Sequence, residues 1–411
     1  MKKLKIGIVG LGGRGMGLLY ELLKMDDVEI TSVCDVYSDR TEKACEAVKK
    51  EKNISVFATT DYKEVLANEN VDCVLISTSW QYHIKIACDA MRAGKFTAME
   101  VGGTYDINEC YELVKTYEET KTPFMFLENC CYGKKELMCF NMARNGVFGK
   151  IVQCNGAYAH DLREEVSFGK ENRHYRLEHY INHNCENYPT HELGPIAKII
   201  NINNGNRMTR LISVGSMSAG LNEYIKQNKP NDTELLKTDF KQSDIVTTII
   251  ECENGEIIRL TLDTTLPRNY SRGLEIRGTK GMYAEDGDVV YIDGITKNET
   301  KENIELEPWH IYHNSEKYAA EYAGTLWSRY TEEQLKSGHG GMDYLVLRAM
   351  VETALNGTPS PIDVYDAASW MCITALSEQS IMKNSSWVEI PDFTQGRYKQ
   401  QNDAFIQSCK F

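Results

Sequence analysis

Ile6-Gly7-Ile8-Val9-Gly10-Leu11-Gly12-Gly13-Arg14-Gly15, with Asp35 closing the next apolar run, decides the fold of the N-terminal part of the chain. Leu4 to Val9 reads as a buried strand. Gly10 allows the tight turn, Gly12 lets backbone approach a pyrophosphate, Gly13 and Arg14 complete the loop, and Gly15 lets the following helix pack against the strand. The N-terminus of that helix offers unpaired N–H groups and a partial positive charge to phosphates. Asp35 follows Val28 to Cys34, a second strand, where a carboxylate accepts ribose hydroxyls and repels a 2′-phosphate. The spacing predicts NAD binding.

Outward from this motif the alternation of strand and helix continues. Val71 to Ser77 reads as a third strand, Ile84 to Ala93 as a helix, Lys95 to Met99 as a fourth strand, Ile107 to Glu119 as a helix and Phe124 to Leu127 as a fifth strand. The expected fold class of residues 1–129 is an α/β Rossmann domain with a doubly wound parallel sheet, whose ligands sit beyond the carboxyl ends of the strands. After Tyr132 the texture changes. A helix from Leu137 to Arg144 leads to strand-like segments at 151–159, 211–217, 245–252, 257–264, 273–278 and 289–292, with Asn254-Gly255 as a hairpin signal. Helices are expected at 193–201, 341–356 and 363–381, and long polar loops or lids at 220–243 and 294–330. Residues 130–411 therefore read as an α+β domain with a largely antiparallel open sheet, for substrate binding and oligomerisation.

Bulk properties narrow the function classes. At 411 residues two domains are the default. Lys plus Arg total 46 against 59 Asp plus Glu, a net charge of -13 without any basic run, which speaks against nucleic acid and anionic membranes as partners. No apolar stretch approaches membrane-spanning length, and Met1-Lys2-Lys3-Leu4-Lys5 runs straight into the first strand. Thirteen cysteines without a CxxC pair fit a reducing compartment, so a cytoplasmic location is expected.

Five of the nine histidines fall between 160 and 191, among Tyr158, Arg163, Tyr175, Arg176 and Tyr188. His179 and His183 have the i, i+4 spacing of two metal ligands on one helix face, but no carboxylate lies between them and the segment after Asn182 reads as loop, so no metal is assigned. The alternative is a polyhydroxylated ligand met by Tyr, His, Arg and Asn, and a solvated loop is the third possibility. In Tyr188-Pro189-Thr190-His191, Pro189 stiffens the approach and Thr190 is a candidate N-cap, which would project His191 from a rigid first turn. Gly338-His339-Gly340-Gly341-Met342-Asp343 either brings backbone close to a ligand or merely starts a helix with Asp343 as cap.

The architecture resembles the glucose-fructose oxidoreductase / inositol dehydrogenase superfamily, whose fourth strand usually ends in Glu-Lys-Pro, with the lysine acting on the substrate alcohol. Here Glu100-Val101-Gly102 stands instead, which argues against an ordinary sugar dehydrogenase. Gly12-Gly13-Arg14-Gly15, Trp80-Gln81-Tyr82-His83, Glu100-Val101, Leu127 to Gly133, His160 to Arg163, Tyr188 to His191 and Gly338 to Asp343 together resemble glycoside hydrolase family 109, the NAD-dependent α-N-acetylgalactosaminidases. That family commonly has Pro where Gly102 stands. The resemblance implies cofactor contacts at Arg14, Gly15, Asp35, Trp80, His83, Glu100, Val101 and Asn129. It implies substrate contacts at Tyr158, Arg176, Tyr188, Pro189, Thr190, His191 and Tyr270. The implied chemistry is transient C3 oxidation, C2 deprotonation, elimination, water addition and re-reduction, outside the usual two-carboxylate scheme. Tyr158 and His191 are the candidates for proton transfer, acting on a small-molecule or glycan-terminal sugar. The competing readings are an NAD-dependent sugar or cyclitol dehydrogenase with His191 as base, and a non-enzymatic NAD- and sugar-sensing protein. The superfamily's exposed sheet implies a dimer or tetramer.

Overall fold

Leu4–Val9 (β1) is apolar on both faces, so it needs cover from both sides and takes the middle of a parallel sheet. The computed structural model describes residues 3–296, 310–336 and 338–409. Their chain divides into two compact units, one of residues 1–133, 325–369 and 402–411, the other of residues 134–324 and 370–401.

In the first unit β1 pairs with Val28–Cys34 (β2) on one side, which pairs with Phe57–Thr59 (β3); on the other side follow Cys73–Ile76 (β4), Phe96–Met99 (β5) and Phe124–Phe126 (β6). All pairs are parallel, and the order β3-β2-β1-β4-β5-β6 reverses direction between β1 and β4. Ligands bind at such a reversal, outside the carboxyl ends. The sheet has six strands where five were read. The additional β3 is three residues long and half exposed, so no apolar run announces it. The crossovers are Gly13–Leu23 (α1), Ser38–Lys52 (α2), Tyr62–Ala67 (α3), Trp80–Arg92 (α4) and Ile107–Thr120 (α5). The later helix Met342–Asn356 groups with this unit and packs on α1 and on the short turn Asn129–Tyr132, burying Leu345, Val346 and Met350.

The second unit holds Ile151–Ala159 (β7), Met208–Gly215 (β8), Ile245–Cys252 (β9), Ile257–Asp263 (β10), Glu275–Gly278 (β11), Gly281–Ala284 (β12), Val289–Ile292 (β13) and Val388–Glu389 (β14). They form one sheet in the order β13-β12-β11-β7-β10-β9-β8-β14. Its pairs are antiparallel except β7 with β10, where Tyr158 lies beside Leu262. Gly255, at a φ of 97°, turns β9 back into β10. The helices before and after β7 are Lys134–Arg144 (α6), Arg163–Ser167 (α7), Arg176–Asn182 (α8) and Thr190–Ile199 (α9). The stretch 220–243, expected as a polar loop, contains the helix Gly220–Asn228, anchored by buried Leu221 and Ile225 at helical spacing. Of the expected loop 294–330, residues 297–309 lie outside the described residues, and the rest includes the helices Ser315–Tyr322 and Thr325–Arg329. Among the described residues no helix is long and apolar enough to cross a membrane.

Candidate active site

The glycine loop of the first unit is shaped by close approaches. Gly10 has a φ of 97°, and a Cβ there would stand 2.5 Å from the Ser77 carbonyl. A Cβ on Gly15 would run into the carbonyl oxygen of Gly10, which also accepts from the Ser77 hydroxyl at 2.8 Å. By contrast a Cβ on Gly13 would meet nothing within 4 Å. The N-terminus of α1 carries no side-chain cap and no acid in its first turn. These uncapped N–H groups over open space are a cradle for a pyrophosphate. Asp35 is buried at the end of β2, where Oδ2 accepts from the Leu11 amide at 2.8 Å and Oδ1 from the Tyr37 amide at 3.0 Å, with Arg40 3.5 Å away. This carboxylate thus stands beside the loop, as ribose recognition requires, and the residues fit a dinucleotide.

Arg14 leaves the loop to bridge two carboxylates. Its guanidinium donates to Glu100 Oε1 at 2.9 Å and to Asp343 Oδ2 at 2.7 Å. Asp343 also accepts from Asn129 Nδ2 at 2.7 Å and lies 2.9 Å from His339 Nδ1. Burial alone would raise the Asp343 pKa, but His339 and Arg14 outweigh it and hold the carboxyl well below the usual range. Asp343 is therefore the hub of a network rather than the helix cap that the sequence allowed; the cap position belongs to Gly341. Trp80, Val101 and His83 are buried nearby in the same unit. A Cβ at Gly102 would stand 2.5 Å from the Trp80 indole, which accounts for glycine there. His83 Nε2 lies 2.9 Å from the Thr78 carbonyl, and burial lowers its pKa to about 4 against the opposing pull of the acceptor carbonyls of Thr78 and Glu100.

The second unit assembles the predicted substrate residues around α9. This helix packs on β7 so closely that a Cβ at Gly156 would stand 2.8 Å from Glu192 Cβ. Tyr158, two residues along the same face of β7, meets Tyr188 edge to face at 4.6 Å between ring centroids and His191 at 5.7 Å. Tyr188 Oη lies 3.2 Å from His191 Nε2. Arg176, on α8, stands 5.2 Å over the Tyr188 ring, with Nε 3.1 Å from Glu165. Burial alone would lower the Arg176 pKa, but Tyr158, Tyr175 and Glu165 hold it far above its ordinary value. The Tyr158 phenol is pushed up by burial and drawn back by the positive charge of Arg176. His160 Nδ1 lies 3.4 Å from the Tyr158 hydroxyl and carries the cluster on to Tyr270, whose half-exposed ring meets His160 at 5.3 Å.

One local expectation changes. Thr190 is the first residue of α9 rather than its cap, and Pro189 takes the cap position without a side-chain bond. The His179 and His183 rings meet edge to face at 6.3 Å; His183 Nδ1 lies 3.0 Å from Glu378, and His179 is buried with its pKa lowered to about 4 by burial, His183 and Arg176. Sequence reading missed Asp343 as a network hub, Glu165 as the partner of Arg176, and the buried Glu186 and Glu192 that flank Tyr188 to His191. Acids beside a helix start read as ordinary first-turn residues, so only an acid within a few residues of an already suspected motif could have signalled them.

Residues 4–127 match the NAD-binding Rossmann fold of an oxidoreductase family, and residues 132–400 match the C-terminal domain of glycosyl hydrolase 109. A glycosyl hydrolase family 109 protein of Stenotrophomonas maltophilia (strain K279a) is 36% identical, covering 100% of this chain and 93% of that one. An alpha-N-acetylgalactosaminidase of Tannerella forsythia is 33% identical over 98% of this chain and 88% of its own length. Another, from Shewanella oneidensis (strain ATCC 700550 / JCM 31522 / CIP 106686 / LMG 19005 / NCIMB 14063 / MR-1), is 34% identical over 97% and 87%. In fold, the chain is similar to a levoglucosan dehydrogenase in complex with NADH and levoglucosan (TM-score 0.68, 16% identity, 95% of this chain and 100% of that one). It is also similar to a myo-inositol 2-dehydrogenase from Lactobacillus plantarum (TM-score 0.66, 18% identity, 95% and 100%).

Proposed function

The chain belongs to glycosyl hydrolase family 109, and from that premise we propose that it is an NAD-dependent α-N-acetylgalactosaminidase acting on a terminal sugar. The observation that carries this reading is the buried cluster of Tyr158, Arg176, Tyr188 and His191, a set of proton-transfer groups around one cation. It is supported by Val101, a buried apolar residue where a sugar dehydrogenase of this fold would need its lysine.

The glycine loop Gly10, Gly12, Gly13, Arg14 and Gly15 with Asp35 would hold NAD, together with Trp80, His83, Glu100, Val101 and Asn129. When bound, NAD⁺ supplies reversible hydride acceptance at C3 of the sugar, which acidifies the C2–H bond and lets the C1 substituent leave before water adds there.

Tyr158 takes the C2 proton as the phenolate, which the positive charge of buried Arg176 stabilises against the cost of burial, and Arg176 also meets the negative charge that spreads into the sugar. His191, aligned by the Tyr188 hydroxyl, hands a proton to the departing C1 oxygen and takes one from the incoming water. Tyr158 then returns its proton to C2. Each proton removed is replaced within the cycle, and because the hydride accepted at C3 would be returned there at its end, no net oxidation results. Pro189, Thr190 and Tyr270 complete the sugar contacts, with Tyr270 reached through His160.

Hydrolysis in deuterated water tests the scheme. Deuterium at C2 of the released sugar, without accumulation of free NADH, is the expected result; unlabelled product would remove the elimination step. Steady NADH accumulation would instead favour a sugar or cyclitol dehydrogenase. A panel of nitrophenyl glycosides fixes sugar and anomer. A cytoplasmic location is part of the proposal, supported by thirteen cysteines of which none forms a disulfide among the described residues. So is a homodimer or tetramer, supported by Val214, Ile249 and Ile257, exposed on one face of β8, β9 and β10; a monomer in sedimentation equilibrium would remove it.

A further inference from the structure

The charges around Arg14 do not balance. Arg14, in the first turn of α1, donates to two carboxylates: Glu100, directly after β5, at 2.9 Å, and Asp343, in the first turn of the helix Met342–Asn356, at 2.7 Å. Both acids are buried. Asn129 adds a neutral donor to Asp343 at 2.7 Å, and among the described residues no lysine or second arginine pairs with either acid. His339 Nδ1, 2.9 Å from Asp343, brings a positive charge only when protonated. One fixed cation thus faces two anions held away from water. The chain closes tightly over Asp343: a Cβ at Gly338 would stand 2.6 Å from Asp343 Oδ2. The covering turn runs through left-handed backbone at His339, Gly340 and Gly341, with φ of 55°, 63° and 98°. For a residue with a side chain, such as His339, that conformation is uncommon, so the burial of this surplus charge is built into the fold at a conformational cost.

These groups lie along the path that a dinucleotide takes through this fold. Asp35, at the end of β2, marks the adenosine ribose, and the uncapped start of α1 marks the pyrophosphate. The other half of the dinucleotide therefore continues away from β2, past the start of α1 toward β4 and β5, which lie on the far side of β1. That half carries the nicotinamide, where the two forms of the cofactor differ: the ring is positively charged in NAD⁺ and neutral in NADH. Contacts to the adenine, the riboses and the pyrophosphate are common to both forms and cancel when the two compete. A fixed negative charge beside the ring does not cancel, because it attracts only the oxidised form. We propose that the surplus carboxylate charge of Glu100 and Asp343, set against the single charge of Arg14, makes the cofactor site selective for NAD⁺ over NADH, with Asp343 as a specificity-determining residue. The inference rests on NAD binding and not on the glycosidase reading. In a reaction that returns its hydride, such a bias keeps the resting chain in the form that begins the next cycle.

The test equilibrates the full chain, without sugar, in mixtures of NAD⁺ and NADH of set ratio at about pH 8.5, where an ordinary imidazole is uncharged. The bound cofactor is then separated and its two forms are counted. The unaltered chain should hold a larger fraction of NAD⁺ than the surrounding mixture. Asp343→Asn and Glu100→Gln each remove one negative charge and should lower the bound ratio of NAD⁺ to NADH by about fivefold or more, the size expected of one charge in a partly buried site. Arg14→Gln removes the positive charge and should raise that ratio, even where total affinity falls. Mere loosening of the site would weaken both forms together or move all three variants the same way. If one acid variant does not fold, the other is compared with Arg14→Gln, and Arg14→Met replaces Arg14→Gln on the same ground. A bound ratio no higher than that of the mixture in the unaltered chain overturns the proposal. So does any set of shifts in which the acid variants and the Arg14 variant do not move in opposite directions. Cleavage of nitrophenyl glycosides is scored on the same preparations: a chain that cleaves none yet shows the opposite shifts refutes the glycosidase reading and leaves the cofactor selectivity standing.

Discussion

Tyr158 and His191 touch, yet they face different partners, and this separates their roles. The positive charge of buried Arg176 acts on the Tyr158 phenol, whose hydroxyl lies 3.4 Å from His160 Nδ1, whereas His191 Nε2 lies 3.2 Å from the Tyr188 hydroxyl. Tyr158→Phe keeps the ring that packs edge to face on Tyr188, so the fold should survive while turnover falls at least about 10²-fold. If Tyr158 is the C2 base, single-turnover exchange of the C2 hydrogen with solvent disappears in this variant, and NAD fluorescence shows the cofactor still bound. His191→Ala should lower turnover by a similar factor. Exchange at C2 persists there, because the proton it moves belongs to the C1 oxygen. Equal loss of exchange in both variants would refute the division of labour. Tyr158, Tyr188 and His191 were legible in the sequence because dense Tyr, His and Arg is not core composition. Glu186 and Glu192 were not, since nothing in a run of residues says that two carboxyl groups six positions apart are both out of water.

Among the elements, β1 was readable to the residue and α1 in its place after it, because their glycines have steric reasons. A methyl group at Gly15 collides with the Gly10 carbonyl, a backbone atom that cannot move without shifting β1, whereas one at Gly13 enters open space. Gly15→Ala should therefore destabilise the first unit by about 1–3 kcal/mol in thermal unfolding without cofactor. Gly13→Ala should leave the transition unchanged or raise it slightly, since alanine favours the helix start; equal losses would mean the loop is under a different constraint. Gly102→Ala is expected to disturb Trp80 and so weaken NAD affinity, measured by cofactor titration. Where the sequence failed, the physical signal was short or masked. β3 has three residues and β14 two, too few for a period to register. The helix Gly220–Asn228 hides two core residues among seven others that look like loop. The parallel pairing of β7 with β10 joins strands separated by almost a hundred residues, and alternation within each strand carries no information about its partner's direction.

At the scale of the whole molecule, buried titratable groups pull stability in opposite directions with pH. His83 has its pKa lowered to about 4, so as pH falls below its unfolded value of about 6.5 the unfolded chain gains a proton that the folded chain refuses. Stability is lost progressively between those two values, by on the order of 3 kcal/mol for this group. His179 acts in the same sense. Asp343, held low by His339 and Arg14, adds a further loss in stronger acid, present above its unfolded pKa and lost as pH falls toward its folded one. Glu186 acts the other way: the folded chain keeps a proton that the unfolded chain releases above about 4.5, so stability drains as pH rises toward about 8 and is flat beyond. Denaturant midpoints across this range should therefore fall steeply on the acid side and gently on the alkaline side. His83→Gln should flatten the acid fall between about pH 6.5 and 4 without touching the alkaline slope. Glu186→Gln should remove the alkaline slope and steepen the acid fall above about pH 4.5, where its own contribution opposes that of His83. An acid limb unchanged by His83→Gln would mean that this imidazole takes up its proton while folded, and the burial that α4 gives it would then not be what sets the stability of the first unit in acid.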